Sequence, residues 1–227
     1  MTLTTLAWTL AFALVAYLMG SLSFAVIVSR AMGLSDPRSY GSGNPGATNV
    51  LRSGNKKAAI LTLVLDAVKG TIAVLIAAAL IPRLNVGLGE GTLAWVGLAA
   101  FVGHVWPVFF KFEGGKGVAT AAGVLLALNI WLGLAVLGVW LAVAFTTRYS
   151  SLAAILAALA APFLHVMLWD PSAATLPMVV MCVILVWRHQ GNIAKLIKGT
   201  EGRIGQKAAV VKPVVTSHHP HSSHHKH

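Results

Sequence analysis

The chain has 227 residues, 57% of them hydrophobic and only 10% charged, and its mean hydropathy is +0.78. Soluble domains of this size carry far more charge, so the composition excludes one and points to an all-α, polytopic integral membrane protein. The formal net charge of +11 gathers at the ends of apolar runs and in the tail. That is the pattern of the positive-inside rule and of contact with anionic lipid, and it leaves almost no soluble surface for a nucleic-acid partner.

The six acidic residues, Asp36, Asp66, Glu90, Glu113, Asp170 and Glu201, are too dispersed for a magnesium or calcium cage, so no metal and no cofactor are expected. Cys182, the single cysteine, lies in an apolar run and reads as a packing residue. The first apolar run, about Leu3 to Val28 with Arg30 closing it, is too long for a signal-peptide core and reads as a retained span. Gly20, Ser21, Ser23 and Ala25 give it a small-residue face suited to close helix packing.

A polar loop follows, Ala31 to Lys57, centred on GSGNPGATNVLR from Gly41 to Arg52. Ser42, Gly43, Asn44, Thr48 and Asn49 make donors dense here, and Arg52, Lys56 and Lys57 add three cations. This suits an anion; a turn-rich cytoplasmic linker is the plainer alternative. The second span, Ala58 to Ile81, contains Asp66 and Lys69. Ionisable groups in a span usually mark a site or a pair, and the i,i+3 spacing points to mutual neutralisation and a structural role. Pro82 to Gly91 reads as a short outer loop in which Arg83 and Glu90 cancel.

The third span, Thr92 to Phe110, carries His104 and Trp106 near one end and is broken or kinked by Pro107. A lone histidine there suits hydrogen-bonded packing. The chain then enters GHVWPVFFKFEGGKGVAT, Gly103 to Thr120, with Gly114, Gly115 and Gly117 around Lys116. Glycines at φ > 0 turn N–H groups toward one point, and a helix start near Thr120 adds unpaired ones. The loop reads either as a phosphate cradle at a membrane surface or as a hydrophilic hairpin whose Lys111 and Lys116 mark the cytoplasmic side. It is no nucleotide P-loop, because no glycine stands five residues before Gly115 and no Ser or Thr follows Lys116.

Val118 to Thr147 is a 30-residue apolar run. Read as one helix, it would put the basic C-terminal region opposite the first basic loops. Split at about Asn129, it yields two short spans and seven in all. Arg30–Lys57, Lys111–Lys116, Arg148 and Arg188–Lys207 then share one cytoplasmic face, with the N-terminus outside and the C-terminus inside. Arg148 to Ser151 forms the next turn, with Arg148 and Ser150 as further phosphate-binding candidates. Leu152 to Leu168 is the sixth span, Trp169 to Pro171 an outer loop, and Ala174 to Trp187 the seventh span. Asn192 to Lys198 reads as an interfacial helix, with Ile193, Leu196 and Ile197 down and Lys195 and Lys198 up. His189 and Asn192 share a face, and histidine is the side chain best suited to move a proton near neutral pH. Residues 1–207 form one transmembrane domain; 208–227, rich in histidine, read as a disordered, tag-like tail.

Three motifs, GSGNPGATNVLR, GHVWPVFFKFEGGKGVAT and HQGNIAKLIKGTEGRIG, together with LDAVKG at Leu65–Gly70, cover about a quarter of the chain. In this order the chain resembles the bacterial acyl-phosphate:glycerol-3-phosphate acyltransferase family (PlsY). The resemblance implies seven spans and transfer of a fatty acyl group from acyl phosphate to the 1-hydroxyl of glycerol 3-phosphate. The products would be lysophosphatidic acid and phosphate, in the first step of phospholipid synthesis at the bacterial inner membrane, with the active site facing the cytoplasm. It implies that Ser42 and Arg52 matter for activity, that the glycine loop and Lys116 bind phosphate, that His189 and Asn192 are critical and that Glu201 is structural. The enzyme that supplies acyl phosphate is a candidate partner. Gly20–Ala25 reads GSLSFA where the family usually has a proline, which leaves a kink in the first helix without its usual cause.

The chemistry fits. Two phosphorylated substrates need several cations and backbone donors side by side, and the acyl phosphate brings its own leaving group, so neither a metal nor a covalent nucleophile is required. The proton acceptor is either His189 or the donor's own phosphate. His165 to Asp170 fits the HxxxxD pattern of another acyltransferase class, but at the outer end of the sixth span. An organic-anion transporter would place its polar residues at the midplane rather than at one face.

Overall fold

A computed structural model describes residues 3–84 and 88–205 of the chain; the expected tail, 208–227, lies outside the described residues. The described residues are helical, without strands: α1 (Leu3–Gly20), α2 (Phe24–Ala31), α3 (Ala47–Leu51), α4 (Lys56–Leu84), α5 (Glu90–Val105), α6 (Val118–Leu128), α7 (Ile130–Thr147), α8 (Ser150–Trp169), α9 (Thr175–Arg188) and α10 (Gln190–Ile197). A single 3₁₀ turn, Val108–Phe110, follows α5.

Among the described residues five segments are long and apolar enough to cross a membrane, and six if the bent pair α9–α10 counts as one; α6 is shorter. With 11 residues α6 is about 16 Å long, half of a hydrocarbon core. The break expected near Asn129 is present. Asn129 is extended, and its Oδ1 accepts from the Trp131 and Leu132 N–H groups at 3.0 and 3.1 Å, capping α7.

The first apolar run departs from a single helix. It stops at Gly20 and restarts at Phe24, with no proline present. Its small-residue face is buried, and a side chain on Gly20 would collide with the Ala100 carbonyl of α5. At the restart, the Val26 N–H bonds Ser23 O at 3.1 Å instead of Leu22 O, and Leu22 O accepts from Lys69 Nζ at 2.7 Å. A buried lysine thus takes over the carbonyl that the break releases. At the far end of α4 the helix continues through Pro82 to Leu84, past the expected boundary.

Phe101, Val124 and Leu132 are fully buried in the main core, where α5, α6, α7, α8 and α9 meet. The outer surface stays apolar, with Phe145, Trp131 and Phe163 exposed, as lipid-facing positions require. At one end of the bundle the loops meet: Thr48 reaches Ser150, Lys116 reaches Asn192, and Arg188 reaches Gly114.

Candidate active site

The first polar loop is shaped by Asn49. Its Nδ2 donates to Pro37 O and Tyr40 O at 2.6 and 3.1 Å, and its Oδ1 accepts from the Ser42 N–H at 3.0 Å. Asn49 is buried and its amide is spent on the loop, so it holds the curve and leaves phosphate to its neighbours. Gly43 sits at φ +67 in the turn. Ser42 and Thr48 are exposed, and the Thr48 and Ser150 hydroxyls lie 3.3 Å apart. Asn44 stands half-buried beside Gly46. The exposed Arg52 lays its guanidinium against Gly41 and Gly202, between the first loop and the C-terminal segment.

Among the glycines of the loop only Gly117 has φ > 0, at +85, where it caps α6; Lys111 and Phe112 are also left-handed, at φ 55 and 62. Gly114 and Gly115 are needed for a different reason. A methyl on Gly114 would strike the His104 and Val105 carbonyls, and one on Gly115 would strike the His104 ring. The loop is pressed onto the end of α5 rather than wound into an N–H nest. Thr120 also differs from expectation: it is fully buried, and its hydroxyl donates to Asp66 O at 2.9 Å.

Lys116 is thereby pointed at the C-terminal segment. Its Nζ donates to Asn192 Oδ1; Asn192 Nδ2 donates to Glu201 Oε1 at 2.7 Å; the buried Ser151 donates to the same oxygen at 2.6 Å. Arg188 NH2 bonds Gly114 O at 3.0 Å. Ser151, Arg188 and His104 were not singled out from sequence as parts of this site. Arg188 stood next to His189 and Ser151 next to Ser150, but nothing local shows which neighbour faces inward. Arg148 is occupied elsewhere: NH2 bonds Ile204 O at 3.0 Å, and its own carbonyl accepts from the Ile204 N–H at 2.7 Å.

His189 is 2% exposed, and its Nδ1 lies 2.8 Å from Leu185 O, so Nδ1 carries the proton and Nε2 is the acceptor. Burial, and then the Lys116 charge, push its pKa down to about 4. Burial likewise pushes Lys116 down to about 8; Glu201 opposes this, while Arg188, Lys195 and Arg52 add to it. Three further cations therefore act on Lys116, against a single carboxylate, Glu201, that is already hydrogen-bonded twice. Such a site has spare positive charge and needs an anion.

Asp66 and Lys69 pair at 2.8 Å, both buried in α4, as their spacing predicted. The HxxxxD residues lie at the other end of the bundle. His165 bonds Ser172 at 3.1 Å, and its 15 residues from Ser150 along α8 amount to about 22 Å.

A family model described as glycerol-3-phosphate acyltransferase matches residues 10–199. A glycerol-3-phosphate acyltransferase of Ralstonia pickettii is 62% identical over 203 residues, 88% of this chain and 95% of that protein. One of Burkholderia vietnamiensis is 63% identical over 197 residues, 86% and 90% of the two. Among solved structures, PlsY (YgiH), an integral membrane glycerol 3-phosphate acyltransferase in its glycerol 3-phosphate form, superposes with a TM-score of 0.79. It is 39% identical and covers 87% of this chain and 96% of its own. Its lysophosphatidic acid form gives 0.77 and 38%, over 86% and 94%. With matches that span nearly the whole bundle and all the loops around Lys116, the chain belongs to the glycerol-3-phosphate acyltransferase family.

Proposed function

We propose that this enzyme takes its acyl group from acyl phosphate and places it on the 1-hydroxyl of glycerol 3-phosphate, and that Lys116 and Arg52 hold the substrate phosphates. One observation carries the reading: Lys116 stands in a cluster with Arg52, Arg188 and Lys195 whose lone carboxylate, Glu201, is committed to Asn192 and Ser151. Ser42 and the Thr48–Ser150 hydroxyl pair supply further donors, and Gly114, Gly115 and Gly117 set the height of Lys116. The hydroxyl oxygen attacks the acyl carbonyl, the bond to the phosphate oxygen breaks, and inorganic phosphate leaves.

The hydroxyl proton goes to the departing phosphate. A histidine held near 4 is a weak base, whereas a phosphate monoester takes up its second proton near pH 6. His189 Nε2 serves as the acceptor that aims the hydroxyl, and Asn192 fixes Lys116. Cation stabilisation of the two phosphates supplies most of the acceleration.

Residues 1–207 form one domain of seven spans in the bacterial inner membrane, with the N-terminus outside and the site on the cytoplasmic face, where the basic loops gather. The enzyme that makes acyl phosphate is the natural donor of the lipophilic substrate. Purified protein should form lysophosphatidic acid from acyl phosphate and glycerol 3-phosphate and release phosphate, with acyl-CoA inactive as donor. Equal turnover of acyl-CoA sinks the donor assignment. Single cysteines at Ser53, Gly89 and Gly202, in a Cys182→Ala background, test the topology; outside labelling at Ser53 or Gly202 refutes seven spans.

A further inference from the structure

The buried pair in α4 has a third member that reaches the glycine loop. Lys69 Nζ lies 2.7 Å from Leu22 O, 2.8 Å from Asp66 Oδ1 and 3.0 Å from His104 Nδ1. An ammonium has N–H donors and no acceptor: Leu22 O and His104 Nδ1 take hydrogen bonds from it, while Asp66 Oδ1 meets it as an ion pair without a hydrogen bond. His104 Nδ1 is therefore an acceptor, and the ring proton sits on Nε2. That end of the ring faces Gly115: a methyl there would land on Nε2 and stand 3.0 Å from Pro45 O of the first polar loop. The His104 carbonyl also accepts from the Gly115 N–H at 3.1 Å. On the other side of the loop, Asp66 O receives the Thr120 hydroxyl at 2.9 Å. So α4 grips the chain where it leaves α5 and again where it enters α6, and Lys116 lies between the two grips.

We propose that His104, locked in one tautomer by the Asp66–Lys69 pair, is a positioning residue that sets the height of the glycine loop and so aims Lys116 at a substrate phosphate. The inference rests on Lys116 being a phosphate ligand. The physical reason for so large an investment of buried charge is stiffness. A ring fixed by an ion pair cannot swing, and Gly115 has no side chain with which to hold its own place.

The test uses the full-length enzyme. Lys116→Gln first identifies which substrate's KM reads the loop. His104→Asn retains an amide at the Nδ1 position for Lys69 but withdraws the ring from Gly115. It is expected to raise that same KM about tenfold, the size of one misplaced charge-assisted contact, and to leave the other KM and kcat within about twofold. His104→Gln, whose amide reaches the Nε2 position, should bring KM back to within about threefold of wild type. In the double variant with Lys116→Gln, the His104→Asn effect should vanish rather than multiply. Unchanged KM, a loss confined to kcat, multiplying effects or an unfolded His104→Asn protein each overturn the proposal. If Lys116→Gln itself leaves both KM values unchanged, the phosphate-ligand reading fails instead.

Discussion

The molecule holds two lysine-centred clusters, and they behave as opposites. Lys69 in α4 hydrogen-bonds Leu22 O and His104 Nδ1 and is ion-paired with the carboxylate of Asp66. Its charge is cancelled and its geometry closed. Lys116 makes one hydrogen bond, to Asn192, and stands among other cations. Its charge is in surplus and two donors are left for a ligand. A lysine is read as structural or functional by whether its donors and its charge are used up, and hydrophobic surroundings alone do not tell the two apart.

The comparison breaks hardest at Lys69. Lys69→Met strands the Asp66 carboxylate in the bundle and should cost about 3–5 kcal/mol, whereas Asp66→Asn with Lys69→Gln removes both charges and should recover most of it. Thermal unfolding in detergent reads both; a Lys69→Met protein as stable as wild type would show that the pair is not closed. Lys116→Gln should leave unfolding unchanged but lower kcat/KM by roughly ten- to a hundredfold, the loss of one charge-assisted phosphate contact at about 1.5–3 kcal/mol, with Arg52→Gln similar.

The pH dependence sharpens the contrast. Lys116, held near 8 by burial, is charged below that pH, so phosphate binding is intact there and lost as pH rises through it. KM for the affected substrate should rise about tenfold from pH 7 to pH 9. Lys116→Arg should move that rise upward. His189, held near 4, stays neutral over the same range and should add no step between pH 5 and 7. An ionisation near 6.5 that disappears in His189→Ala, and so does not belong to the substrate phosphate, would return His189 to the role of base. His189→Ala should then cost about a hundredfold in kcat, against roughly tenfold if it only aims the hydroxyl. Smallest of all, His165→Ala at the far end of α8 should leave turnover within about twofold, since its partner Ser172 lies in the opposite loop.

Much of this was legible along the chain. The apolar runs, the break at Asn129 and the Asp66–Lys69 pair are local: hydropathy, a capping side chain and an i,i+3 spacing are written in neighbouring residues. The three polar loops declare themselves by donors and cations, and the resemblance they carry is matched by the family comparison. Contacts between distant segments were not legible. Lys116 meets Asn192 across 76 positions, and Lys69 meets His104 across 35. Nor did the sequence show that Asn49 is consumed by its own loop, that Arg148 ties down the C-terminal segment, or that Leu22 surrenders its carbonyl to Lys69. Periodicity and composition report what a residue is beside its neighbours. Which donors are left over for a substrate is decided only once the helices have packed and every buried group has taken its partner.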